Sequence, residues 1–309
     1  MNTQSNPMPE SFDQQGNAPE VMSETRLLYW SVRRELWENR FVYVAPLAVA
    51  GVFLFGYLIS VIHLPAQMRE LPGVGSAHYR EGILKPYDIA AAFMMGTYIL
   101  VTLFYCADAL HGERRDRSIL FWKSLPVSDL TTVLAKASIP FIILPLLTFA
   151  IILVLQFILL LLSSAVLLAN GLSVAPLWTH LPVLQMSLLM LYHILTAHAL
   201  WPAPVYCWLL LVSGWARRAV FLWAALPVLA IAGVEKIAFH TEHFATLVGY
   251  RLMGNTSTIS FTPHIFPTDP MTHIAPGHFL STPGLWLGLT VAVIFLAAAV
   301  RLRRYQGPI

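Results

Sequence analysis

Histidine carries the first pattern in this chain that could do chemistry. His240 and His243 stand three apart with Glu242 between them, and His264, His273 and His278 follow. Two histidines three apart on a helix share a face and can ligate zinc or copper. Against that, the segment has no H-E-x-x-H, no cysteine and no regular spacing. Polar surface is the plainer expectation, with an external metal site as the alternative. His193 and His198 lie inside an apolar run. Residues five apart do not share an α-helix face, so haem ligation by this pair is not expected, and a buried, satisfied pair is. Cys106 and Cys207 also sit in apolar runs and form no redox or metal motif. No G-x-x-x-x-G-K-[ST] is present to cradle a nucleotide, and no G-x-S-x-G to raise a serine nucleophile.

Charge is concentrated in one place. Between Gly112 and Lys136 the chain reads GERRDRSILFWKSLPVSDLTTVLAK, the most polar piece between two long apolar runs. Glu113, Arg114, Arg115, Asp116 and Arg117 are followed by the apolar block Ile119–Trp122 and a break at Pro126. Ser128 suits a helix N-cap, and Asp129 suits the positive end of the helix dipole. The pattern predicts a short helix at a membrane face, a turn at Pro126, and the start of a long apolar helix.

A charged cluster, an apolar turn, Ser124-Leu125-Pro126-Val127-Ser128 and then a helix carrying Lys136 resemble the loop after the second span of type-2 ABC exporter permeases. In that family this cytoplasmic loop is a coupling helix that docks on a separate ATPase subunit. The resemblance implies a coupling role for Glu113, Arg114, Arg115, Asp116, Phe121, Trp122 and Pro126. Phe121 and Trp122 would anchor the partner, and the charges would steer it.

The elements that must hold this loop are apolar helices. The 309 residues are 57% hydrophobic and 11% charged, where a soluble domain carries about 25% charge. The fold class is therefore all-α, a polytopic membrane protein. Its calculated pI of about 8.9 comes from basic residues beside spans, which set orientation and do not imply nucleic acid. Residues 1–22 read as a disordered tail, residues 23–304 as the transmembrane domain, and residues 305–309 as a short tail. No early basic cluster precedes an apolar stretch, so no signal peptide is expected. Residues 23–40 suit a helix on the membrane surface. Arg26, Arg33 and Arg40 recur at sevens, as do Trp30 and Trp37, and both residue types suit the interface. The exporter family has an amphipathic helix here too.

Six spans are expected: 41–62, 87–110, 130–169, 181–213, 219–238 and 284–300. The third and fourth are too long for a ~30 Å core. Pro140 and Pro145 should kink the third, and Trp201-Pro202-Ala203-Pro204 the fourth. Asn170-Gly171 should end the third. The segments 63–86 and 239–283 read as polar connections. Glu235-Lys236 suggests an interfacial snorkelling pair, and 237–262 could re-enter the membrane. With both termini inside, fourteen Lys and Arg face inward and five outward. That predicts cytoplasmic termini and a cytoplasmic 111–130 loop in an inner, cytoplasmic membrane.

The expected function is the permease subunit of an ATP-driven exporter. The resemblance implies a homodimer or heterodimer in the lipid bilayer, with ATP and Mg bound by the partner ATPase and no cofactor in this chain. The chain itself would perform no bond chemistry. Two alternatives stay open: an intramembrane metal-binding protein or metalloenzyme using the external histidines, and a non-transporting assembly factor.

Overall fold

The computed structural model describes residues 23–70, 76–124, 127–180, 183–253, 279–307 and 309. Helix α1 is Glu24–Glu38, α2 Phe41–Ser60, α3 Leu64–Glu70, α4 Ser76–Asp108, α5 His111–Arg115 and α6 Ser118–Ser124. Then come α7 Asp129–Ser138, a π-helical segment Ile139–Ile143, and α8 Leu144–Ala169. Helices α9 Ala175–His180 and α10 Val183–His193 lead into a second π-helical segment, Ile194–Leu200, and α11 Ala203–Trp215. The chain ends with α12 Val220–Phe239, α13 His243–Met253 and α14 Pro283–Tyr305. No strand occurs among the described residues. Five helical stretches are long and apolar enough to cross a membrane, or six when the bent pair around Trp201-Pro202 counts as one span. The architecture is that of a multi-pass membrane protein.

Local chemistry explains most element ends. The Ser128 hydroxyl accepts the Thr131 amide at 3.0 Å, so the expected cap of α7 is in place. At the far end of α8, Gly171 adopts φ +71°. The Leu172 amide donates to the Leu167 carbonyl and the Gly171 amide to the Leu168 carbonyl. This doubly bonded ending needs a residue that tolerates a left-handed backbone. The third span runs unbroken from Asp129 to Ala169, 41 residues, with Pro140 absorbed by a π turn. Pro140 lacks an amide and crowds the preceding turn, and widening the helix relieves both. The fourth span bends by 46° at Trp201-Pro202, as its prolines predict.

The segment 63–86 differs from expectation. It holds α3 and the first turns of α4, and α4 runs 33 residues with Pro86 inside it. At 1.5 Å per residue α4 is about 50 Å long, well beyond a ~30 Å apolar core. Its first turns stand where a loop was expected.

Two buried groups hold the helices together. One joins Tyr57, Tyr87, Met94, Met95, Ile152, Leu159 and Ile194, from α2, α4, α8 and the second π segment. The other joins Val42, Tyr98, Tyr105, Ile139, Leu144, Tyr206 and Leu210. Helix α11 packs most closely on α14 and also on α4, while α1 lies along α7. Loop 111–124 therefore sits at the bundle end where α1, α7, α11 and α14 meet.

The corner after α12 also departs from the sequence reading. Glu235 is no snorkelling partner of Lys236. Its carboxylate accepts the His243 and Phe244 amides at 2.9 and 2.8 Å and the Thr241 hydroxyl at 2.9 Å, capping α13. Lys236 pairs instead with Glu242 at 2.8 Å and holds that carboxyl below its ordinary range. Helix α13 turns back, so that Arg251 donates to the Trp201 and Gly284 carbonyls and lies over the Trp201 ring.

Candidate functional site

The 111–124 loop is built from two short helices joined by a left-handed residue. Helix α5 stops at Asp116, and Arg117 takes φ +59°, a conformation that costs a non-glycine residue about 1 kcal/mol or more. The charged run is divided between two environments. Glu113 and Arg114 turn into the protein, only 6% and 7% exposed, while Arg115 and Asp116 stay in solvent.

Glu113 is one pole of a buried ion cluster. One of its oxygens lies 3.1 Å from Lys136 Nζ and 3.0 Å from Arg34 Nη2, and the other receives Arg303 Nη1. Glu35 is the second acidic pole. Its Oε1 lies 2.7 Å from Lys136 Nζ and 2.9 Å from Arg34 Nη2. Its Oε2 accepts the Tyr105 hydroxyl at 3.1 Å and the Asn39 amide at 3.3 Å. Arg303 Nε stands 3.2 Å from Asp129 at the edge of the group. Glu35, Lys136 and Arg303 are at most 5% exposed. Such charges survive burial only when paired and hydrogen-bonded, because desolvation costs several kcal/mol per ion. Three cations bridging two central carboxylates meet that demand. They tie α1, α5, α7 and α14 at one point.

Arg114 makes a second tie. Its Nη1 donates to the Gly214 carbonyl at 2.6 Å and the Ala216 carbonyl at 3.2 Å, at the end of α11. Its Nε donates to the Gly307 carbonyl at 3.2 Å, and its own carbonyl accepts the Ile309 amide. Lys123 donates to the Gln306 carbonyl at 2.8 Å. Gln306, Gly307 and Ile309 are thus stapled under the loop.

The residues expected to couple to a partner fall into two sets. Phe121 is 59% exposed, as is its neighbour Leu120 at 58%, and Arg115 and Asp116 are also outside. Trp122 is half-buried, its ring stacked under the Arg34 guanidinium at 3.9 Å. Glu113, Arg114 and Trp122 therefore make contacts within the chain. Pro126 lies outside the described residues. On α1, Arg26, Trp30, Arg33 and Trp37 are all exposed, as is Arg40 at the start of α2. Arg33 stands over the Trp30 and Trp37 rings at 5.2 and 4.9 Å, forming the continuous cationic and aromatic strip an interface helix needs.

Sequence reading singled out none of Glu35, Arg34 and Arg303. One signal was there to be used. Lys136 lies two turns inside an apolar helix, where an ammonium needs a carboxylate.

The histidines also differ from expectation. In the π segment the wider turn brings residues five apart together, and the His193 and His198 rings lie 5.1 Å apart. They do share a face. Among the described residues no side chain hydrogen-bonds to His198 Nδ1. No group of three His, Cys, Asp or Glu converges among the described residues, and His264, His273 and His278 lie outside them.

No family model, no curated protein and no solved structure matches this chain.

Proposed function

We propose that this chain is the permease subunit of an ATP-driven exporter similar to the type-2 ABC permeases. In this reading it works as a dimer in the cytoplasmic membrane, with ATP and Mg bound by separate ATPase subunits. Loop 111–124 faces the cytoplasm, as the excess of basic residues on that side suggests. The observation that carries the reading is the division of the loop. Leu120 and Phe121 stand outside, while Glu113 and Arg114 run back into α1, α7, α11 and α14. A partner that seats on Phe121 would push on a part joined by charged hydrogen bonds to four other helices. Such joints do not stretch, so the push would reach the membrane helices as rigid motion.

The test is co-expression with the P-loop ATPase encoded nearest this chain. Replacing Leu120 and Phe121 together with Ala should remove the ATPase from the purified complex. The permease should keep its unfolding temperature, since neither side chain is buried. Full ATPase retention with unchanged stimulated hydrolysis in a folded double variant would sink the reading.

A further inference from the structure

At the loop end of the bundle, between the α11–α12 turn and the 306–309 segment, lies a cavity of about 470 Å³. Its lining is Arg114, Trp215, Arg217, Gln306, Gly307 and Ile309. The volume falls in the range of roughly 300–1,000 Å³ that holds small molecules. The charged side chains that line it are both basic. Two guanidiniums line the space, and among the described residues neither pairs with an acid, while Arg218 extends the exposed basic turn. Arg114 is held rigidly by three carbonyls. Those bonds use its Nε and Nη1 and leave Nη2 for a ligand. Arg217 is exposed and donates no hydrogen bond among the described residues, so it can close on an anion from the other side. Planar guanidiniums suit phosphate oxygens, which they can grip with paired donors. Trp215 is half exposed and rests edge-on against Trp223 at 5.1 Å. A tryptophan pair of this kind belongs at headgroup depth. The turn itself is fixed by Ala219 at φ +50° and by the Arg114 and His111 contacts to the Ala216 carbonyl.

We infer that this cavity is a binding site for a phosphate-bearing anion, held between Arg114 and Arg217 beside Trp215. The aromatic wall and the position next to a span favour the phosphodiester headgroup of an anionic phospholipid. A free phosphate compound offers the same chemistry. The inference stands apart from the exporter reading, because it needs no ATPase.

The experiment uses the purified full chain in a neutral detergent. Short-chain phosphatidylglycerol, short-chain phosphatidylcholine and inorganic phosphate are titrated separately, and thermal unfolding is followed. Phosphatidylglycerol should raise the unfolding temperature, and phosphatidylcholine should not. Arg217→Gln should weaken that effect at least about fivefold, the worth of one basic residue beside an anionic lipid surface. Arg217→Lys should restore part of it. Arg301→Gln removes an exposed arginine that does not line the cavity and should change nothing. Inorganic phosphate acting with the same Arg217 dependence would keep the site and assign it to a soluble ligand. Stabilisation that ignores Arg217, or that falls equally with Arg301→Gln, is general surface charge and overturns the inference. So does the absence of stabilisation by either anion.

Discussion

Lys136 Nζ lies 2.7 Å from Glu35 Oε1, although 101 residues of chain separate the two. The contact joins the surface helix α1 to the start of the third span. The same ammonium also reaches Glu113, so one buried cation serves two carboxylates from different helices.

Removing that cation should be costly. Lys136→Met leaves Glu35 and Glu113 facing each other in a dry site, with Arg34 and Arg303 to offset them. Breaking a buried pair from one side costs about 3–5 kcal/mol. Adding Glu35→Gln to the same chain removes one stranded charge and should restore a clear part of the loss. Unfolding of the two single variants and the double variant in detergent measures this as a coupling energy. Strictly additive losses would show that the cluster does not act as a unit.

Phe121 and Trp122 are neighbours that should behave differently. Trp122→Ala removes the ring stacked on Arg34 and should lower stability by about 1–2 kcal/mol. Phe121→Ala removes an exposed side chain and should stay within about 0.5 kcal/mol of the parent. Denaturant midpoints of the two variants, taken side by side, decide the matter. Equal losses would contradict the division of the loop.

Two glycines of α14 should separate cleanly. A Cβ at Gly288 would come within 2.6 Å of Arg251 Nη1, whereas at Gly284 its nearest neighbour would be a Trp201 ring atom at 3.5 Å. Gly288→Ala should therefore expel the Arg251 guanidinium and release α13, and Gly284→Ala should be tolerated. A flexible side chain can swing away, so the loss should be local, at the low end of the about 1–3 kcal/mol typical of overpacking. Amide exchange across 243–253 reads it directly. Unchanged protection in Gly288→Ala would show that Arg251 does not dock the helix.

The bond between Tyr57 and Ser163, at 2.6 Å, ties α2 to α8. Ser163 donates to the Leu159 carbonyl at 2.7 Å, which uses its single proton. Tyr57 is then the donor between the two. Tyr57→Phe leaves Ser163 satisfied and should cost under about 1 kcal/mol, near the mean for polar bonds between membrane helices. Ser163→Ala strands a buried phenol donor and should cost more, about 1–3 kcal/mol. The order of the two midpoints is the test, and the reverse order would reassign the donor.

Much of the fold was legible along the chain because local chemistry decides it. The apolar runs, the prolines near 140 and 202, Ser128 and Asn170-Gly171 act on their immediate neighbours. Pro202, Ser128 and Asn170-Gly171 gave the expected bend, cap and ending, while at Pro140 a π turn keeps the third span unbroken. The ion cluster was not legible in that way. Glu113 and Arg303 stand 190 residues apart, and nothing local marks them as partners. The run Glu113 to Arg117 read as one charged cluster, yet its first two side chains turn inward to partners on α1, α7, α11 and α14 that are remote in the sequence. The histidine pair failed for a third reason. Its spacing was judged on an α-helical turn, and the wider π turn changes which residues meet.

The bond from Arg303 to Glu113 also has a meaning in time. Helix α14 leaves the ribosome after every other helix described above, and Glu113 much earlier. Until α14 is inserted, the carboxylates of α1 and α5 share only Lys136 and Arg34, and the Gly307 carbonyl that Arg114 takes is not yet made. The 111–124 loop can therefore reach this geometry only after α14 has packed in place. A chain stopped before α14 would carry an unfinished loop, and a partner that seats on that loop would find its full docking face only on finished molecules.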